Sequence, residues 1–351
     1  MKPLFRVDKK VEKRRPFRKI IIGTFFVLVM VIAGAVYWYR SNLVALSSTN
    51  QDKITVIVEE GMTEAQVAKD LESKGLIRSA LVYELYNRLN NKSGKMQVGT
   101  YEITSSMSVA DIVEKITKGD VVVELVTILP AQRIDQLKAF FLEKGYSQKE
   151  IDDAFNPAKY INHPALTSKP PLANLEGYLY PESFLMTANT PLETIITASL
   201  DQMNLALTDE LKTAYKNAGL TVNEAVVLAS IIEKEVSSQE DREKAAQVFL
   251  SRYNIGMPLG SDVTAYYGAI INSLELTVSA DSQYNTRLYA GLPPGPINNV
   301  SASSLRAVAF PSKTDYLYFV AGDDGITYFS KTLSEHEALT AEHCIELCKI
   351  P

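Results

Sequence analysis

The hydrophobic positions of this chain change period several times, and each change marks an element. Residues 20–39, IIIGTFFVLVMVIAGAVYWY, carry no charge. A helix of that length, rising about 1.5 Å per residue, matches a hydrocarbon core of about 30 Å. ITVIVEEGMTEAQVAKDLESKGLI (54–77) opens on a strand-like run and passes to helical spacing. Val67, Leu71 and Ile77 share one side of that helix, and Gly75 supplies its stop. VGTYEITSSMSVADIVEKITKG (98–119) predicts another strand, a polar turn and a helix capped near Ser108. VELVTILPAQRIDQLKAFFLEKGY (123–146) repeats the first plan, aligning Gln136 with Gln66, Leu137 with Val67, and Lys144-Gly145 with Lys74-Gly75.

Longer segments follow. PLETIITASLDQMNLAL (191–207), NEAVVLASIIEKEV (223–236) and SQEDREKAAQVFLSRY (238–253) have helical spacing. RYNIGMPLGSDVTAYYGA (252–269) reads as turn-rich, and DYLYFVAGDDGITYFS (315–330) as an aromatic β-hairpin turning at Asp324-Gly325. The pattern predicts an α+β protein: a basic tail (1–19), one transmembrane helix (20–39), a linker (40–52), a small α/β module (53–120) and a larger mixed α/β domain (121–351).

Charge sharpens this layout. Residues 1–19 hold nine Lys or Arg against two acids, while the remainder balances to −12. An acidic body argues against a nucleic-acid partner. A basic block before the apolar run, with only Arg40 after it, places the N-terminus in the cytoplasm and the rest outside. Tyr37, Trp38 and Tyr39 fit the outer aromatic belt. A cleaved signal peptide is the competing reading, but its apolar region is usually shorter and ends at an A-x-A-like site, which is not seen here. Hydrophobic content of 46% against 22% charged marks a folded chain. The two cysteines, Cys344 and Cys348, lie at the far end, so the core needs no disulfide framework. They could form a metal or redox site, though no cluster of ligands surrounds them, and three histidines supply a zinc hydrolase poorly. No cofactor is expected.

The chemistry is concentrated in LASIIEKEV (228–236). Thr221 and Glu224 make a capping box that fixes the start of its helix. At 100° per residue, Ala225, Leu228, Ala229, Ile232 and Val236 form an apolar stripe, with Ser230 and Lys234 on the polar back. Glu235 and Glu233 fall on opposite margins of that stripe. Burial disfavours a carboxylate, so either can hold a proton near neutral pH, as glycosidic cleavage requires of its acid. Either can equally be solvated or paired, for instance with Arg242. Helix geometry does not choose between them.

Downstream, Asp262 and Thr264 are followed by Tyr266 and Tyr267, and YNTRLYAGLPPGPI (284–297) joins an aromatic and an amide to a Pro/Gly loop. Such a loop suits the wall of a cleft that holds an extended polymer, although it can also be a simple tight connection. Taken in order, EGYLYPESFLMTANT, ASIIEKE, RYNIGMPLGSDVTAYYG, YNTRLYAGLPPGPI and PSKTDYLYFVAGDDGITYFSKTLSEH resemble the YceG-like (MltG) family of endolytic murein transglycosylases. The resemblance runs from about residue 54 to 340, and VGTYEIT fits that family's LysM-like module. It implies that the second glutamate of EKE, Glu235, is catalytic. Asp262, Thr264, Tyr267, Tyr284, Asn285 and, in the upstream motif, Glu182 are implied to line the cleft. The family usually has Gln where this chain has Gly260, and often Pro where it has Val263.

The activity so implied is cleavage of the β-1,4 bond between N-acetylmuramic acid and N-acetylglucosamine in nascent glycan strands, closing a 1,6-anhydro ring. The implied partners are peptidoglycan, the bilayer, and synthases of the elongation or division machinery. Two rivals stay open: a non-catalytic peptidoglycan-binding scaffold, and a hydrolase using water activated by a carboxylate such as Asp262.

Overall fold

The computed structural model describes residues 15–349 except 172, 188 and 189, with side chains of the first helix described from Ile21 onward. The chain divides into two compact units, the first ending at Glu124 and the second built from residues 125–186 and from 190 onward. The architecture is mixed α+β, with small two-stranded sheets among many helices.

In the first unit, α1 (Arg15–Leu43) contains the stretch Ile21–Leu43, long and apolar enough to cross a membrane. Strands β1 (Lys53–Val58) and β2 (Gly99–Thr104) pair antiparallel, with Val56 opposite Tyr101 and Ile54 opposite Ile103. Side chains alternate between faces along a strand, so Val56, Val58, Tyr101 and Ile103 all reach one core. Helices α2 (Glu64–Ser73), α3 (Ala80–Leu89) and α4 (Val109–Lys118) cover that face, contributing Val67, Leu71, Tyr83, Ile112 and Ile116. Capping boxes at Thr63–Gln66 and Ser108–Asp111 start α2 and α4. Helix α3 lies in a stretch for which the apolar period predicted no element.

The second unit begins with β3 (Glu124–Thr127), α5 (Ile134–Glu143) and α6 (Gln148–Ala154), and β3 pairs with β4 (Ser183–Met186). Then come α7 (Leu192–Ala206), α8 (Asp209–Asn217), α9 (Val222–Glu235), α10 (Gln239–Asn254) and α11 (Asp262–Ile271). Helix α12 (Ala302–Ala309), the hairpin β5 (Tyr318–Ala321) and β6 (Thr327–Ser330), and α13 (Leu333–His343) complete it. Cys344 and Cys348 form a disulfide just beyond α13.

Helix α9 is the axis of this unit, packed on by α8, α10, α11 and α12. Its burial is wider than a stripe: every residue from Ala225 to Glu233 is buried. Ser230, expected on a polar back, is 0% exposed. Its hydroxyl donates to Val227 O and accepts the Ile297 N–H at 3.0 Å, while Asn298 Nδ2 donates to Ser230 O. A short side chain that satisfies its own polar atoms lets the Pro/Gly loop close over this face. Segment 262–271 is helical rather than turn-rich, with Ser261 as its N-cap residue.

The upstream motif locks onto the same axis. Tyr178 Oη donates to Asn223 Oδ1, and Gly177 adopts φ +82°. A Cβ added at Gly177 would lie 2.4 Å from Pro296 Cβ and 3.2 Å from Val226 Cγ1. Gly177→Ala therefore combines a left-handed backbone with a clash between rigid groups, and should cost roughly 2–4 kcal/mol. Gly219→Ala, at φ +79° with open space around it, should cost only the backbone part, about 1 kcal/mol. Urea unfolding of both variants checks the difference.

Candidate active site

Glu235 is the last residue of α9, where the helix's negative end already disfavours a carboxylate. Its side chain keeps partial exposure, yet the surrounding protein strips much of its water. Desolvation raises its pKa to about 7, with the nearby Asp262 charge pushing the same way; a hydrogen bond from Ser261 and the charge of Arg252 pull against them. Ser261 Oγ donates to Glu235 Oε1 at 2.5 Å. Among the described residues Oε2 has no hydrogen-bond partner, so one carboxyl oxygen is held and the other is open.

Ser261 is itself rigidly placed. Its N–H donates to Thr286 Oγ1 at 3.1 Å, its carbonyl accepts Thr264 Oγ1 at 2.6 Å, and those two hydroxyls meet at 2.9 Å. The Thr286 N–H returns to Thr264 Oγ1 at 3.1 Å. All three residues are buried. A closed network of this kind has no free rotor to spare.

Arg252 braces the other side. It donates to Leu259 O and Leu317 O, and its guanidinium lies 4.9 Å from the centre of the Tyr318 ring. Gly260 explains its own presence here. It has φ +70°, and an added Cβ would stand 2.9 Å from Arg252 Nη1. In this backbone a longer side chain such as glutamine would displace the arginine.

Glu233, two residues before, is engaged differently. Its Oε1 accepts Arg242 Nη2 at 3.1 Å, and its Oε2 accepts the N–H and hydroxyl of Ser301 at 2.9 and 2.6 Å. It joins the end of α9 to α10 and to the start of α12, which leaves it fully engaged.

The other expected residues fall into four groups. Asp262 is exposed and paired with Arg287 at the rim near Glu235. Thr264 and Asn285 are 0% exposed and therefore have no surface for a ligand. Asn285 spends its amide on Val278 O and Ala280 O, and its Oδ1 on the Arg287 N–H. Tyr267 and Tyr284 form a tilted ring pair with centroids 4.8 Å apart, Tyr267 buried and Tyr284 partly open. Glu182 stands apart, exposed at the start of β4 with its carboxylate on the Ser183 N–H.

A second buried carboxyl lies behind the tyrosines. Glu176 accepts the Ile134 N–H at the start of α5 and Tyr267 Oη at 3.2 Å. Burial pushes it to about 7 despite those bonds. Glu176, Arg252, Ser261 and Thr286 lie inside the motifs that resemble the family, which mark the segments without distinguishing these side chains.

A protonable carboxyl with one unpaired oxygen, close to an exposed acid–arginine pair, makes Glu235 the candidate acid–base group. The YceG-like family model matches residues 56–342, and the chain belongs to that family. It is 31% identical over 88% of its length to a Bacillus subtilis protein named endolytic murein transglycosylase, spanning 89% of it. It is 28% identical over 93% of its length to a Streptococcus pneumoniae protein of the same name, of which it spans 65%. A crystal structure of a yceG-like protein from Listeria monocytogenes superposes with a TM-score of 0.52 at 30% identity, covering 82% of this chain and 99% of that one.

The two raised carboxyls make stability pH-dependent. Between about pH 4.5, where they titrate in the unfolded chain, and about 7, where they titrate folded, the native state holds more protons. Stability therefore falls as pH rises through that window and levels off above it. Glu235→Gln removes one contributor, so its Tm should exceed that of the parent at pH 8 and match it near pH 4.5, read by thermal denaturation at both values.

Proposed function

We propose that this chain is a membrane-anchored endolytic murein transglycosylase with Glu235 as its single acid–base group. The observation that carries the proposal is the Glu235 carboxyl, protonable near neutral pH, held by Ser261 through Oε1 and open at Oε2. The names of the Bacillus and Streptococcus relatives supply the substrate class.

Protonated Glu235 donates to the bridging oxygen as the bond from C1 of N-acetylmuramic acid to O4 of N-acetylglucosamine breaks. The resulting carboxylate takes the proton from the C6 hydroxyl of the same muramic residue. O6 then bonds to C1, closing the 1,6-anhydro ring and restoring the acid. One carboxyl serves both steps, so no second carboxylate at a fixed distance is needed. Ser261 fixes the rotamer of Glu235, and Arg252 fixes the loop that carries Ser261. Asp262, Arg287 and Tyr284 offer the exposed polar and aromatic contacts for glycan. Thr264 and Asn285 act from behind as positioning residues.

We assign α1 as the anchor, N-terminus inward, and residues 53–120 as a LysM-like module that meets the wall. Synthases of the elongation or division machinery are the partners this layout fits, because glycan strands emerge beside the membrane that they share.

Incubating the full chain with purified glycan strands and weighing the products tests the assignment. Anhydro-muramic ends are expected, with Glu235→Gln lowering their release by roughly 10²-fold or more. Ordinary reducing ends would instead identify a hydrolase, and binding without release a scaffold. The pH profile gives a second check. Glu235 must enter protonated, so kcat/KM should descend as pH rises through about 7, the value set by its burial. Activity that climbs from pH 6 to 8 would contradict Glu235 as the acid.

A further inference from the structure

Helix α3 of the first unit presents a face that the proposed glycan chemistry does not use. Leu81, Leu85 and Leu89 follow one another at single-turn spacing and are 64%, 37% and 63% exposed, while Val82, Tyr83 and Asn87 fill the opposite, buried side. Three leucines aligned on the outside of a small unit call for a partner.

Contacts with α1 show where this face lies. Arg78, just before α3, donates to the carbonyls of Ser41, Val44 and Ala45 at the exit of α1. Later in α3, Tyr86 comes within electrostatic reach of Tyr39, and the two helices pack together. Helix α3 thus runs back along the end of α1, from the level of residues 41–45 to that of the aromatic trio 37–39. Leu89 lies about 4.5 Å beyond Tyr86 on the helix rise. The charge of the segment agrees. Residues 85–98, LYNRLNNKSGKMQV, contain Arg88, Lys92 and Lys95 and no acid. Arg88 and Lys95 are exposed, Arg88 lying 3.8 Å from the Glu84 carboxylate one turn earlier on α3. Leucines flanked by cations at the depth of an aromatic belt match an anionic lipid interface.

We propose that the Leu81–Leu85–Leu89 face of α3 docks onto the outer surface of an anionic phospholipid bilayer, so that the first unit lies against the membrane beside its own anchor. This rests on α1 being the span.

The test uses the full chain, whose two native cysteines are paired, reconstituted into phosphatidylglycerol-containing vesicles. A polarity-sensitive fluorophore is placed at Leu89→Cys, at Val29→Cys within α1, or at Glu114→Cys on the exposed side of α4. Lipid-borne spin labels should quench the residue-89 probe at least threefold more than the residue-114 probe, and less so when phosphatidylglycerol is replaced by phosphatidylcholine. Equal quenching at 89 and 114, with residue 29 strongly quenched, overturns the docking and leaves the anchor standing. A blue-shifted but unquenched probe at 89 assigns the face to a protein partner and overturns it too. An unquenched probe at 29 removes the anchor and the docking together.

Discussion

The hydrogen bond from Ser261 to Glu235 is the contact on which the candidate chemistry depends. It joins the end of a buried helix to the start of another, and so converts two independent elements into one site. Its strength lies in what stands behind it. Ser261 cannot turn, because Thr264 and Thr286 hold its backbone from both sides. Glu235 is equally confined, since α9 is enclosed by four other helices. A carboxyl at the end of such a helix has little choice of rotamer, and the remaining freedom is removed by one short hydroxyl.

The two glutamates of EKE illustrate how position decides function. Both stand near the same buried face, two residues apart. Glu233 is surrounded by donors: a guanidinium, a hydroxyl and a backbone N–H. Glu235 is bonded by a single hydroxyl, with an acid and the Arg252 charge nearby. The first environment satisfies both carboxyl oxygens; the second, dominated by desolvation, makes a charge on Glu235 expensive.

Much of the scaffold could be read from residue order. The strand–turn–helix units, the caps at Ser108 and Thr221 and the hairpin around Gly325 are local features, governed by neighbours within a few positions. Glu235 could be narrowed to one of two glutamates by helical angle, and separated from Glu233 only by a family pattern. Features that depend on distant pairing were not legible. Ser230 looked like a surface residue because nothing nearby announces that the loop at 297–298 will cover it. Thr264 and Asn285 looked like ligand contacts for the complementary reason: short polar residues in a motif serve a cleft and a buried network alike. Glu176 lies 91 residues from Tyr267, and no periodicity links them.

Arg252 ties the loop at 259 to Leu317, just before β5 and almost sixty residues further along the chain. That bond gives the site a history as well as a shape. Residues 317 and 318 join the chain well after Glu235 and Ser261, so Arg252 gains its second carbonyl and its ring contact late. The hairpin that begins at Tyr318 thus completes a brace behind a pairing that Thr264 and Thr286 already hold, and it couples the geometry near residue 235 to folding near residue 318.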